Sequence, residues 1–292
     1  MLTHLALTAT GRWFHAERGS AVSLVVLGHQ GGEGSIPLVF AMITLAYGLQ
    51  VGWSVAAVAL LFIGLPFAYW AYSQPREPHS PAARMDKPAR HVRSWTRREV
   101  VRDPIFWVLL AGVLAPGFIG TTVFYHQDYM TTLNDWPPQL FATSLVLLSL
   151  TTVAFALLTG AIVDRFGTLS LLRYFLLPLS AACFALAYSG PALSLYIVMV
   201  FLGVSYGLSS TLFGSLWPDV YGTVYLGSIR SVTVSATVVA TAAGPGLTGT
   251  LIDHGITLPT QMFYIGVYCL LATAAMMVAT VFLRRREDII DP

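Results

Sequence analysis

Charge is what this 292-residue chain has least of: 10% of its residues are Asp, Glu, Lys or Arg, against roughly 25% in an ordinary soluble domain. With 55% hydrophobic residues and a mean hydropathy of +0.69, it has too little polar surface to cover a globule in water, which excludes a soluble fold. The net charge of +2 says nothing about nucleic acid, which is not expected as a partner because the cations are distributed for another reason, given below. Cysteine is scarce too. Cys183 and Cys269 both sit inside apolar runs and read as small buried groups, so neither a disulfide framework nor a metal site is expected, and no cofactor. The opening stretch "MLTHLALTATGRWF" has no basic region ahead of an apolar one, and is not a secretory signal.

What the chain has instead is long runs without charge. These are Gly34–Pro75, Pro104–Gln127, Trp136–Val163, Tyr174–Pro218, Ser231–Ile252 and His254–Leu283. A spanning helix needs about 20 apolar residues, so the first and fourth runs are too long for one crossing. Each holds a breaker, "YGLQVGW" at Tyr47–Trp53 and "SGPALS" at Ser189–Ser194, where the chain is expected to turn. The reading is an all-α membrane protein of eight transmembrane helices, near 21–47, 53–72, 105–127, 140–163, 171–189, 193–216, 229–252 and 261–283.

Eight crossings put both ends on one side and leave every one of the 16 Lys and Arg residues there. The positive-inside rule then makes that side cytoplasmic. The expected location is the cell inner membrane, multi-pass, with both termini cytoplasmic. Arg173 and Arg230, just inside helix ends, are expected to reach water with their long side chains. Residues 74–103 carry Pro75, Pro78, Pro81 and Pro88 with eight cations and four acids. An anionic-lipid contact is conceivable there, but a solvated linker is the favoured reading. Thr96 and Glu99 have capping-box spacing, so a short helix is expected to close it. The organisation is therefore 1–73 with two spans, 74–103 as a basic linker and 104–292 as a six-helix group.

That pattern resembles the back two-thirds of a major facilitator superfamily transporter, which has twelve spans in two halves joined by a cytoplasmic loop. "GAIVDRFG" at Gly160–Gly167 resembles the family's Gly-x-x-x-Asp-Arg-x-Gly turn, with Thr168 where a basic residue usually follows. "RWFHAERGSAVSLVVLGHQGGEGSIP" resembles the entry to a fifth helix in bacterial monocarboxylate and oxalate–formate-like members. "GW" at Gly52–Trp53 fits the start of their sixth, and "SLWPDVYGTVYLGSIRSVTVSATVVATAAGPGLTG" resembles the loop and eleventh helix. The match covers the whole chain, so the eight helices correspond to the fifth to twelfth. The first four are missing, which implies a truncated chain, inactive alone.

The candidate residues follow. Gly160, Asp164, Arg165 and Gly167 mark a cytoplasmic gate turn. By the family's pseudo-symmetry it should meet "ERGSA", with Asp164 on a helix N-terminus and Arg18 adding an ion pair. The alternative is an ordinary solvated turn. Glu33 lies about 20 Å into the first span at 1.5 Å per residue, where a carboxylate is a functional hypothesis by default. His29, four residues earlier, shares its face, so the two are candidates for proton coupling, or for a hydrogen-bonded pair fixing helix contact. Gln30 is a candidate cavity residue. Gly28 and Gly32 are candidates for close packing. So are Gly244, Pro245 and Gly249 in "GPGLTG", with Pro245 bending its helix. Thr121, Thr122, Tyr125, His126 and Gln127 are candidates to line a cavity, or to bond their own helix and sit at the interface. Asp219 and Asp253 are expected to be solvated.

The resemblance implies a secondary transporter of a small solute, probing alternating sides of the lipid bilayer, with protons as the coupling ion. Drug efflux by antiport and a non-transporting fragment or assembly partner are the alternatives. An enzyme is not expected: Asp128, Asp135 and His126 form only a loose cluster without a motif.

Overall fold

The computed structural model describes residues 18–73 and 93–290, together with residues 6 and 10. All regular structure among them is helical. Long apolar runs in a bilayer lead to this, since a helix satisfies its backbone N–H and C=O groups within one segment, away from water.

The first group opens with α1 (Arg18–Tyr47), which ends at Gly48 in a positive-φ turn of 87°. The chain turns there and not at Gly52. Gly52 lies inside α2 (Leu49–Ala59), and a Cβ on it would sit 2.4 Å from Thr44 Cγ2 of α1. A π-helical turn at Leu60–Gly64 joins α2 to α3 (Leu65–Ser73). Pro66 explains it: the ring has no N–H and crowds the carbonyl four residues back, and the wider turn relieves that clash.

The second group holds α4 (Arg97–Arg102), α5 (Pro104–Tyr125), α6 (Gln127–Leu133), α7 (Pro138–Phe166), α8 (Thr168–Leu172), α9 (Leu177–Ala187), α10 (Ala192–Tyr221), α11 (Leu226–Asp253) and α12 (Leu258–Ile290). Among the described residues, seven helical stretches are long and apolar enough to cross a membrane. They include Leu49–Ala71 and six from Pro104 onward. The eighth expected crossing, the 30-residue α1, is not among these seven.

Glycines set the closest approaches, as expected where helix association depends on backbone proximity. α7 meets α10 at Gly203 and Gly207, and a Cβ on Gly207 would lie 2.6 Å from the Thr152 carbonyl oxygen. α5 meets α11 at Gly244, where a Cβ would lie 2.6 Å from the Phe118 oxygen. α9 and α12 are joined by the Ser180 hydroxyl, which donates to the Gly266 carbonyl at 2.9 Å. α1 lies on α7 and α10, with Val22 fully buried against Gly214. Cys183 and Cys269 are buried as free thiols.

Candidate functional site

At the end of α7 the chain must stop a long apolar helix and reverse. Gly167, at φ 78°, makes the turn and α8 starts at once. One turn earlier, Asp164 Oδ2 accepts the Ser20 N–H at 2.9 Å and the Ser20 hydroxyl. Ser20 is the third residue of α1. Its amide is one of the first-turn donors that a helix cannot satisfy internally, so a carboxylate there answers both an orphan N–H and the positive helix end. The turn and the start of α1 are therefore in contact, through Ser20. The side chain of Arg18, expected to pair with Asp164, lies outside the described residues. Arg165 is exposed, its guanidinium over the Phe166 ring at 5.3 Å, and Gly160 is buried inside α7. Cysteines at positions 20 and 164, in a background lacking Cys183 and Cys269, are expected to form a disulfide under mild copper-phenanthroline oxidation. Mass spectrometry showing no 20–164 linkage would refute the contact.

The turn holds a second bond. Thr168, standing where the resemblance leads one to expect a cation, donates its hydroxyl to Asp219 Oδ2 on α10. Asp219 is thus half-buried and engaged, which corrects the expectation that it is solvated. A hydroxyl does here what an ammonium would do, without burying a second charge. Arg230 also departs from expectation. It is 6% exposed, and its Nη2 donates to the Gly214 carbonyl at 2.6 Å. Its side chain turns into the α10–α11 contact and does not reach water.

Within α1, His29 is exposed. It stands one turn before Glu33 on the same helix; the side chains of Glu33 and Gln30 lie outside the described residues. Gly28, proposed as a packing residue, has nothing within 4 Å of a Cβ, and Gly32 has only Ile36 of its own helix at 3.7 Å. Neither brings a second helix close among the described residues.

The α5 candidates divide. Thr121 donates to the Gly117 carbonyl at 2.8 Å and approaches the Thr241 oxygen at 3.0 Å, bridging α5 and α11. Thr122 is fully buried, bonded to the Phe118 oxygen and pressed on Gly244. His126, 8% exposed, places Nδ1 3.0 Å from the Thr122 oxygen, with Nε2 towards Gly249. These three belong to one helix–helix seam, along with Gly244 and Gly249; Pro245 lies inside α11 beside Gly244. Tyr125, 74% exposed, and Gln127 face outward.

Sequence reasoning did not single out the cluster at the start of α5. Asp103 caps α5, accepting the Ile105 N–H at 3.1 Å, as a helix-starting Asp does. Arg286, at the far end of the chain, binds the same carboxylate through Nη1 at 2.7 Å and Nη2 at 2.9 Å, and the Tyr221 hydroxyl donates to it at 3.1 Å. Trp95 packs edge-on to Tyr221 and donates its backbone N–H to the Tyr221 oxygen. The guanidinium groups of Arg93 and Arg286 lie 5.2 and 5.5 Å from its ring centre. Burial acts to raise the Asp103 pKa. The Arg286 and Ile105 hydrogen bonds outweigh it and hold the carboxyl below its ordinary range. The only signal in sequence was the "DP" step, Asp ahead of Pro at a helix start. The expected capping box is complete: Glu99 accepts the Thr96 N–H at 2.7 Å, and Thr96 Oγ1 accepts the Glu99 N–H at 3.4 Å.

A family profile described as Major Facilitator Superfamily matches residues 1–245. A search of curated proteins finds no match.

Proposed function

This chain belongs to the Major Facilitator Superfamily, and on that premise we propose that it is a proton-coupled secondary carrier of a small organic solute. Family and apolar helices together make it a multi-pass membrane transporter. In the proposal α1 is an eighth crossing, both ends face the cytoplasm, and the membrane is the inner one.

The carrying observation is the clasp of Asp164 on the first turn of α1. It ties the helix that bears His29 and Glu33 to the six-helix group through hydrogen bonds to a charged group. Each is worth about 1.5–3 kcal/mol, enough to hold a closed state and little enough for solute binding to release it. Rocking of α1 against α7 then opens the pathway on this side. Protonation of Glu33 removes a charge from a place where lipid disfavours it, which lets the reorientation proceed with a proton on board and stall without one.

The test uses the full chain in liposomes under an imposed pH gradient, with internal pH followed as candidate solutes are added. The carrier reading expects solute-dependent proton entry from this chain; the truncation that the resemblance implies expects none from it alone. Glu33→Gln should reduce it at least tenfold while leaving solute exchange without a gradient intact. Unaltered proton-driven uptake in that variant would remove Glu33 from the mechanism, and absence of any solute flux would remove the carrier reading.

A further inference from the structure

The short helix α4 presents three arginines whose charge nothing in the described structure neutralises. At 100° per residue, Val100 points inward, and it is 2% exposed. Arg97, Val101, Arg98 and Arg102 then follow one another around an outward arc of about 140°. All three arginines are exposed, and Val101 is 37% exposed. The two acids of this stretch are already taken. Glu99 is held by the Thr96 N–H and hydroxyl and by Arg93 at 2.6 Å, and Asp103 is held by Arg286 and Tyr221. The Asp103 side chain is 1% exposed, and Glu99, 38% exposed, is turned back on Thr96 and Arg93, so neither carboxylate lies on the arc of Arg97, Arg98 and Arg102.

The depth of this arc is set by its neighbours. Membrane-spanning α5 begins at Pro104, two residues after α4 ends. Trp107, in its first turn, is 52% exposed and donates its indole N–H to the Val101 carbonyl at 2.9 Å. An indole with an apolar face outward and its N–H satisfied marks the boundary between headgroups and hydrocarbon. Two residues ahead of that crossing, α4 is then at headgroup depth, with an apolar Val101 between guanidinium groups. It is held there by its capping box and by the Trp95–Tyr221 contact.

We propose that this face of α4 is a docking surface for acidic phospholipids, whose phosphates take Arg97, Arg98 and Arg102 while acyl chains pack on Val101 and Trp107. Guanidinium groups suit phosphate oxygens geometrically as well as by charge. The inference extends the linker's role: its described end is an anchor and not a solvated tether. It rests on the bilayer reading alone and not on proton coupling, so its failure would leave the carrier proposal standing.

The experiment takes the purified full chain in non-ionic detergent and measures retained lipid by native mass spectrometry. It compares phosphatidylglycerol, phosphatidylcholine and inorganic phosphate. Phosphatidylglycerol is expected to be retained over phosphatidylcholine, with affinity falling as salt is raised. Each arginine near a charged surface contributes about fivefold. Arg98→Gln should therefore weaken retention about fivefold, and the triple variant R97Q/R98Q/R102Q on the order of a hundredfold. If the triple variant loses its fold, the single variants still decide. Equal retention of the two lipids, unchanged retention in Arg98→Gln and in the triple variant, or displacement of the lipid by millimolar inorganic phosphate would each overturn the proposal.

Discussion

Gly207→Leu is expected to disrupt the α7–α10 contact and lower stability by about 3 kcal/mol or more, the upper end for overpacking. The reason is what lies opposite. A Cβ at position 207 would meet the Thr152 oxygen at 2.6 Å, Phe155 Cβ at 2.7 Å and the Ala156 nitrogen at 2.8 Å. Two of these are backbone atoms and the third is a Cβ, so none can swing aside as a side-chain tip would, and the helices must separate. The Thr211 hydroxyl, which donates to the Ala156 carbonyl at 3.1 Å one turn along, would lose its partner with them. Gly207→Ala should show the same effect more weakly. Gly246→Ala, inside α11 with nothing within 4 Å, should be neutral or slightly stabilising, because Ala favours a helix by about 1 kcal/mol over Gly. Thermal unfolding in detergent, followed by size-exclusion of the folded fraction, ranks the three. Equal behaviour of the 207 and 246 variants would refute the close contact.

Arg286→Met is expected to cost about 2–4 kcal/mol, somewhat less than the loss from a fully buried pair, because the Arg286 side chain is 37% exposed. The damage falls on Asp103, whose side chain is 1% exposed and would be left as a carboxylate with only Ile105 and Tyr221 to bond it. The double variant D103N/R286M should recover more than half of the loss. Asparagine still accepts the Ile105 N–H as a helix cap and leaves no unpaired charge. The pH dependence has a definite sign. In the wild type Asp103 is held below its ordinary range, so its contribution is complete at neutral pH and is lost as pH falls through the folded value. In Arg286→Met burial acts unopposed by the guanidinium and pushes the carboxyl up. The variant's deficit should therefore be largest at neutral pH and narrow in acid. A deficit independent of pH between 7 and 4, or no recovery in the double variant, would show that the pair is not the cause.

Legibility in the sequence varied with range. The helices read clearly because a crossing segment announces itself by the absence of charge. The capping box of α4 needs only Thr96 and Glu99, three residues apart, and was equally plain. The turn at Gly167 was visible as a motif, and the resemblance pointed it at the start of α1, where the bonded residue, Ser20, lies within the expected "ERGSA" stretch. Thr168 with Asp219 was missed because a hydroxyl in a turn carries no signal of its partner. Arg230 was misread because a cation near a helix end reaches water or a carbonyl with equal ease, and only the neighbouring Gly214 backbone decides which. Asp103 and Arg286 are 183 residues apart, and no local pattern connects them.

The sequence by itself determined that this chain is helical and lipid-embedded, because the bilayer penalises every uncompensated charge and unpaired backbone group along the chain, one segment at a time. Tertiary structure alone decided which polar side chains meet: Asp164 with Ser20, Thr168 with Asp219, Asp103 with Arg286. Those pairings depend on how glycine-lined helices pack side by side, and packing direction is written in three dimensions and not along the chain.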